Sequence, residues 1–452
     1  MLDKTPEQIL DNTYLPYLAF EKFKTYKLRN AEVAWVNEKL IKSYGVEGSL
    51  DELKQHMLNE YAFVSSGYTT DRKLNAKRKK YFFADRYGSR HEVCHGGSGR
   101  CGFDGKFQVK GIGITPLLAQ NMSQSHKHGK MFIDEAILEA IWGEVCHKHL
   151  PLGGVRTLAI IKTNVEEPFV YLGGSPLTPC ALAVREFAVR PAHFERCTFF
   201  WPSRKHLHLR DNDADRVTEC TNYFVNAVAL KQSELEGNSV LYVALKKLVS
   251  VIALQMACSR IKGIPHGSLT SSNISIDGRF LDFGTITAVP DFGNYRLAQG
   301  VGAVWDDHQL VKEWLRNLAS TLSHYSSYGE KLSTKDIDNL LEYFYIELDR
   351  QENISLLNEL RVNRIDNKTL VVAGKIKNKL LRKPRESIHE FKNIDFITEV
   401  VHLAKFEGLE IGNVNFLLRN RKYSSFDILS KERGLKGDYS NDSISSLINS
   451  YV

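Results

Sequence analysis

The chain has 452 residues, 43% of them hydrophobic and 25% charged, with a formal net charge of +7. Such a balance suits an ordinary globular protein with one large core or two to three smaller ones, and no low-complexity block or internal repeat appears. Seven scattered cysteines without any C-x-x-C exclude a disulfide framework and point to a reducing, cytoplasmic setting. The opening MLDKTPEQIL lacks the basic and apolar regions of a signal peptide, and no run of about eighteen apolar residues is evident, so no membrane association is expected.

Residues 1–60 read as mostly helical, with a core stripe of Tyr14, Tyr17, Phe20 and Phe23 spaced three apart. A dense basic run, Arg72-Lys73 to Lys77-Arg78-Lys79-Lys80, follows. No nucleic-acid motif accompanies it, and nucleic acid is not an expected partner. From residue 80 to 117 the chain turns glycine-rich and strand-like. Cys94 and Cys101 lie near His91 and His95, in a spacing that matches no common zinc pattern.

Gly97-Ser98-Gly99-Arg100-Cys101-Gly102 fits G-x-G-x-x-G, and glycines let main-chain N–H groups surround phosphate oxygens. A strand, not a helix, follows it. That strand ends in Lys110 after Phe107-Gln108-Val109, so its ammonium can be aimed at phosphates. Ile133, Ile137, Ile141 and Val145 predict an amphipathic helix over 133–149. It offers Glu139 and Glu144 as partners for Lys110, with Glu139 between inward-facing isoleucines. Residues 155–170 read as a β-pair around Thr163-Asn164, and 181–189 as another strand. Beyond residue 210 helices dominate, over 217–232, 238–261, 308–322 and 334–348, and the tail after 350 is helical with basic loops.

The most informative stretch is His266 to Gly284. His266-x-x-Leu269, Asn273 seven residues after the histidine, and Asp282-Phe283-Gly284 have the grammar of a kinase catalytic loop and its metal-binding DFG. A hairpin with Asp277-Gly278 at its tip can bring the Asn273 amide and the Asp282 carboxylate together on Mg²⁺ or Mn²⁺. The kinase base position is Ser268 and the residue before the asparagine is Ser272, so ordinary kinase chemistry is not expected. A strand-rich first part, a helical second part and a metal loop at the join predict an α+β, protein-kinase-like bilobal fold. Its expected divisions are an N-terminal helical extension (1–80), a strand-rich N-lobe (81–195), a helical C-lobe with the metal loop (196–345) and a C-terminal helical extension (346–452).

With these residues in hand the chain resembles the selenoprotein O (YdiU) family of protein adenylyltransferases, pseudokinases that transfer AMP rather than phosphate. The resemblance runs from about residue 11 to about 322. The family's G-D-G-R is similar to Gly97-Ser98-Gly99-Arg100, and its K-G-x-G-x-T-P is Lys110 to Pro116. The inward glutamate of its I-R-E helix falls on Glu139. Its nucleotide-contacting Asp-Gly becomes His128-Gly129, with the Asp lost. Its paired arginines before H-F-E become Arg185 and Arg190 before His193-Phe194-Glu195, with a spacing that differs by two residues. Its H-G-x-L-x-x-D-N-x-S-I, ending in D-Y-G, aligns without a gap to His266 through Gly284.

The resemblance implies ATP with Mg²⁺ or Mn²⁺, a flipped nucleotide that presents its α-phosphorus, and a protein or peptide acceptor. Gly97, Gly99, Arg100, Lys110, Gly129, Glu139, Arg185 and Arg190 would hold the nucleotide, with Asn273 and Asp282 on the metal. The family's proposed base position is Ser272 here, and its C-terminal selenocysteine or cysteine is absent. A positioned base is worth about 10²–10⁴ in rate for a hydroxyl acceptor. Three readings follow. AMP goes to a protein hydroxyl, or to a carboxylate that needs no base because it is already ionised at pH 7, or the chain is a catalytically inactive nucleotide-binding scaffold. Oligomeric state is not legible.

Overall fold

The computed structural model describes residues 13–88, 94–120, 128–168, 177–229, 239–297, 300–329, 331–381, 384–385, 393–414, 416–433, 435 and 437–452. The fold is α+β. Among these residues the main sheet is built from β1 (Phe20–Leu28), β2 (Glu32–Val36), β3 (Phe63–Ser65), β4 (Leu74–Asp85), β5 (Cys101–Phe103), β6 (Phe107–Lys110), β7 (Met131–Phe132), β8 (Thr157–Pro168) and β9 (Leu177–Glu186). All pairings in it are antiparallel, in the order β2-β8-β9-β6-β5-β4-β1-β3, with β7 also on β9.

One face of the sheet packs on α1 (Leu50–Tyr61), through Leu53, Met57 and Tyr61. The other receives α2 (Ile133–His149), whose Ile133, Ile137 and Ile141 are fully buried. Both faces are therefore covered near the centre, which is why Phe20 and Phe23 are both buried although an odd spacing puts them on opposite sides of a strand. This overturns the helical reading of the first eighty residues: β1 to β4 fall there, Tyr14 and Tyr17 are exposed, and the expected boundary at residue 80 lies inside β4. Residues 155–168 are also not a β-pair. They form the single strand β8, in which Asn164 takes a positive φ of 53° at an irregularity in the β9 pairing.

The second half is helical: α3 (Val240–Lys262), α4 (His308–Tyr325), α5 (Thr334–Glu359), α6 (Asn367–Leu380), α7 (Asn393–Phe406), α8 (Ser425–Arg433) and α9 (Asn441–Asn449). Instead of the single helix expected over 217–232, two shorter helices, Asp213–Thr221 and Phe224–Ala227, are seen, and 230–238 lie outside the described residues. Ser239 caps α3 by accepting from the Tyr242 N–H, and Gly263 ends it in the left-handed region. By length and composition α3 could cross a bilayer, contrary to the sequence reading, but here it is a core helix packed along α5. The expected boundary at 345 falls within α5. The last helices turn back to the sheet: Trp35 Nε1 donates to Ser445 Oγ at 3.1 Å, and α9 packs on β2 and α2.

Candidate functional site

A cleft of about 890 Å³ opens between the sheet, α2 and the 266–285 segment. Its walls include Gly97, Gly99, Arg100, Lys110, Glu139, Arg185, Arg190, Asn273 and Asp282. Strand periodicity assembles one side. In β6, Phe107 and Val109 enter the core on one face, so Gln108 and Lys110 point to the other. Arg185 lies directly across from Gln108 in β9, and its Nε donates to Gln108 Oε1 at 3.0 Å. Gln108 Nε2 in turn donates to Asp85 Oδ1 at 2.9 Å. A buried polar track thus crosses three strands under the cleft.

Glu139 reaches this track from α2. Its Oε1 accepts from Lys110 Nζ at 2.8 Å and its Oε2 from Arg185 Nη1 at 3.0 Å. Asp282 arrives from the opposite wall. Its Oδ1 accepts from Lys110 at 2.5 Å and Arg185 at 3.0 Å, and its Oδ2 from Arg190 at 3.1 Å. Burial alone would raise the Asp282 pKa, but Lys110, Arg185 and Arg190 hold it well below the usual carboxylate range. Asp282 also has φ 60° and ψ 65°, a left-handed conformation that costs a non-glycine residue roughly 1–3 kcal/mol. Three ion pairs offset that strain.

The hairpin is braced from behind. His266 Nε2 bonds the Leu281 carbonyl at 2.9 Å, Phe280 stacks edge-on against its ring, and Ile274 bridges Phe280. Burial lowers the His266 pKa, which keeps the ring neutral and its Nε2–H a donor. Asn273 donates from Nδ2 to the Ser268 carbonyl at 2.8 Å, which leaves Oδ1 as its acceptor at the cleft. Ser272 does not line the cleft. Its carbonyl accepts from Arg190 at 2.7 Å and its hydroxyl bonds Thr270 Oγ1 at 3.0 Å.

The glycine loop forms the roof. A Cβ on Gly97, which has φ +137°, would lie 2.2 Å from the Asp85 carbonyl oxygen, so only glycine fits. The segment after Lys110 holds the loop in place: Thr115 Oγ1 donates to the Ser98 carbonyl at 2.8 Å and Thr115 N–H to Gly99 at 3.2 Å. Arg100 Nη1 donates to the Lys130 carbonyl at 3.1 Å and lies 3.4 Å from Glu135. Gly129, assigned from sequence as a nucleotide contact, is not among the residues that line the cleft. Its carbonyl accepts from Gly113, and a Cβ there would meet the Gly113 backbone at 2.4 Å.

Glu144, the other candidate partner of Lys110, instead pairs with Arg156 at 2.7 Å and Asn37 at 2.9 Å. Zinc at the Cys94 and Cys101 pair is not supported: Cys94 Sγ sits 3.7 Å from Cys197 Sγ while Cys101 lines the cleft, and His91 lies outside the described residues. Sequence reasoning missed Asp85, Gln108, Tyr87 and Leu429. Gln108 was within reach, two residues before Lys110 on the same strand face. Tyr87 packs under the Arg190 guanidinium at 4.9 Å, and Leu429 brings α8 to the cleft wall.

A glycine roof, a lysine–glutamate pair and an asparagine–aspartate hairpin meet on one cleft, residue types whose chemistry is compatible with phosphate. The family model of protein adenylyltransferase SelO matches residues 91–415, well over half of the chain, and the chain belongs to that family. Among curated relatives, it is 24% identical over 227 residues to the protein nucleotidyltransferase YdiU of Shewanella loihica, covering 47% of this chain and 42% of that one. It is also 24% identical over 277 residues to the YdiU of Trichodesmium erythraeum, covering 52% and 54% respectively. The chain thus spans about half the length of the curated relatives it matches.

Proposed function

We propose that the two halves of the chain act as the lobes of a kinase-like fold, and that the cleft between them takes ATP with Mg²⁺ or Mn²⁺ and transfers AMP to a hydroxyl side chain of a protein or peptide. The observation that carries this is the ion cluster: among the described residues Lys110, Arg185 and Arg190 form salt bridges to two carboxylates, Glu139 and Asp282, in a largely buried wall. The surplus positive charge suits a polyphosphate. Two further groups fit one. Arg185 Nη2 and Arg190 Nε are buried without a hydrogen-bond partner among the described residues, and phosphate oxygens would satisfy them.

Asn273 and Asp282 would hold the divalent ion. Among the described residues there is no cluster of three or more His, Cys, Asp or Glu side chains fit for a metal. Two protein ligands, with phosphate oxygens and water, is the way Mg²⁺ is commonly held. Bound there, the ion would supply charge neutralisation at the phosphates. Lys110, positioned by Glu139, would add a second positive charge. The acceptor hydroxyl oxygen forms its bond to the α-phosphorus and releases its proton to water, the bond from that phosphorus to the α–β bridging oxygen breaks, and pyrophosphate leaves with the electron pair.

A second reading, transfer to a carboxylate, is favoured by one observation: position 272 carries a serine whose hydroxyl is engaged by Thr270. An ionised carboxylate attacks without a base, and the absence of an acid at 272 spares it repulsion. The test is incubation with Mn²⁺ and ATP labelled at either the α or the γ phosphate. AMP transfer predicts label on protein from the α position only, with pyrophosphate released, and no labelling by Asp282→Ala. A hydroxylamine-sensitive adenylate formed only with an added acid moves the assignment to the carboxylate reading. Nucleotide binding with no labelling of any kind contradicts both.

A further inference from the structure

The basic run that the cleft does not use is one half of a larger surface. β1 and β4 pair along their length, with Lys24 opposite Tyr81 and Tyr26 opposite Lys79. Lys22 lies one step further along the same face. Their other face packs on α1 and the core, and on this one Lys22, Lys24, Lys79 and Tyr81 are exposed, while Tyr26 is half-buried with one side packed against the apolar core. Lys24, Tyr26, Lys79 and Tyr81 form a block in which lysine and tyrosine alternate along and across the strands. Lys22 Nζ lies 4.5 Å from the Tyr81 ring centroid and Lys24 Nζ 5.6 Å from that of Tyr26. None of the three lysines has a carboxylate partner among the described residues. Like charges placed this close on a sheet are unfavourable on their own, and no fold requirement seen here explains them.

Around the edge of the same two strands lies a pocket of about 470 Å³ whose lining includes Lys27, Arg29 and Arg78 and no carboxylate. Burial first, then the neighbouring Arg78 charge, push Lys27 down to about 8 against the opposing pull of Glu60.

We propose that the exposed face of β1 and β4 is a binding surface for single-stranded nucleic acid, its lysines on the phosphates and Tyr26 and Tyr81 under the bases. The interleaving selects this partner. Lysines alone would serve any polyanion, whereas two rings one diagonal step apart, about 7–8 Å, are platforms for neighbouring unpaired bases. A bilayer surface gains little from rings lying between lysines on a flat sheet, and a duplex hides its base faces. The site is separate from the cleft and does not rest on the reaction assigned there.

The experiment is fluorescence anisotropy of the full chain with a labelled oligothymidylate of about 20 nucleotides, long enough to exceed a typical single-strand footprint. Saturable binding is expected, weakening on the order of fiftyfold between about 50 and 200 mM salt if about four phosphates are contacted. Lys24→Gln with Lys79→Gln should weaken it at least about tenfold. Tyr26→Ala or Tyr81→Ala should each weaken it about five- to hundredfold while leaving binding to a duplex of equal length unchanged. Lys110→Ala should bind the oligonucleotide as the parent does, and equal melting temperatures establish that the exposed variants fold. The proposal is overturned if no saturable binding occurs at low salt, if the tyrosine variants bind as the parent does, or if duplex or phosphatidylserine vesicles are bound as tightly as the single strand.

Discussion

At Asp282 three cations depend on one carboxylate. Replacing it with asparagine leaves Lys110 and Arg185 on Glu139 alone and takes away the Arg190 salt bridge, and an uncompensated buried charge costs on the order of 3–5 kcal/mol. Asp282→Asn should therefore lower the urea midpoint of the free protein, and added polyphosphate should restore part of the loss. An unchanged midpoint would mean that solvent already screens the cluster. Since three cations hold Asp282 well below the usual carboxylate range, its carboxylate stays ionised throughout neutral pH. A buried histidine adds a pH dependence of its own. Burial lowers the folded pKa of His266, so below about pH 6.5 the unfolded chain takes up a proton that the folded chain refuses. Its contribution is whole above that pH and declines as pH falls, by up to about 1.4 kcal/mol per unit. Urea melts at pH 7.5 and 5.5 should differ less in His266→Gln than in the parent, and an equal difference would remove this account.

Each wall of the cleft is an element with its own reason to stand where it does. α2 carries Glu139 inward because isoleucines every fourth residue pin its neighbours in the core. The loop after Lys110 is fixed by Thr115 above and by the Gly113–Gly129 contact beside it. Gly129→Ala combines a φ of +64° with backbone at 2.4 Å, and should cost about 2–4 kcal/mol measured by urea unfolding. Parent-like stability together with weakened nucleotide affinity would return Gly129 to the nucleotide-contact role.

Elements differed in how much of themselves they displayed in sequence. The glycine loop, the Lys110 strand, α2 and the 266–284 hairpin were legible because spacing alone defines them. β1 was not: FEKFKTYKL buries residues on both faces, so it lacks the alternation of a one-sided strand and its aromatics mimic a helical stripe. In β8, Thr163-Asn164 has the composition of a turn but forms an irregularity within one strand. Asp85 was invisible because a buried acid in a strand is recognised only through partners distant in sequence, here Gln108 of β6 and His193 of the Pro191–Phe194 turn.

Across the whole molecule the two halves share one core. A single apolar cluster joins Leu15 and Trp35 of the first part to Ile252 of α3, Leu318 of α4 and Tyr451 near the end of the chain. The tail after residue 350 reads in sequence only as helical with basic loops, yet α8 brings Leu429 to the cleft and α9 ties down β2. Removing residues 425–452 should uncover Trp35 and part of α2, lower the melting temperature and weaken nucleotide binding together. Loss of either alone would show that the return of the chain does not couple core to cleft.

The claim on which the functional account stands is that Lys110 and Asp282, brought within 2.5 Å from opposite walls, hold one nucleotide and its metal. Calorimetric titration of ATP with and without Mg²⁺ measures this directly. The account predicts metal-dependent binding in the parent chain, at least about tenfold weaker in Lys110→Ala and no longer metal-dependent in Asp282→Ala, with a Lys22→Gln control unchanged. Parent-like, metal-dependent affinity in both cleft variants would contradict it.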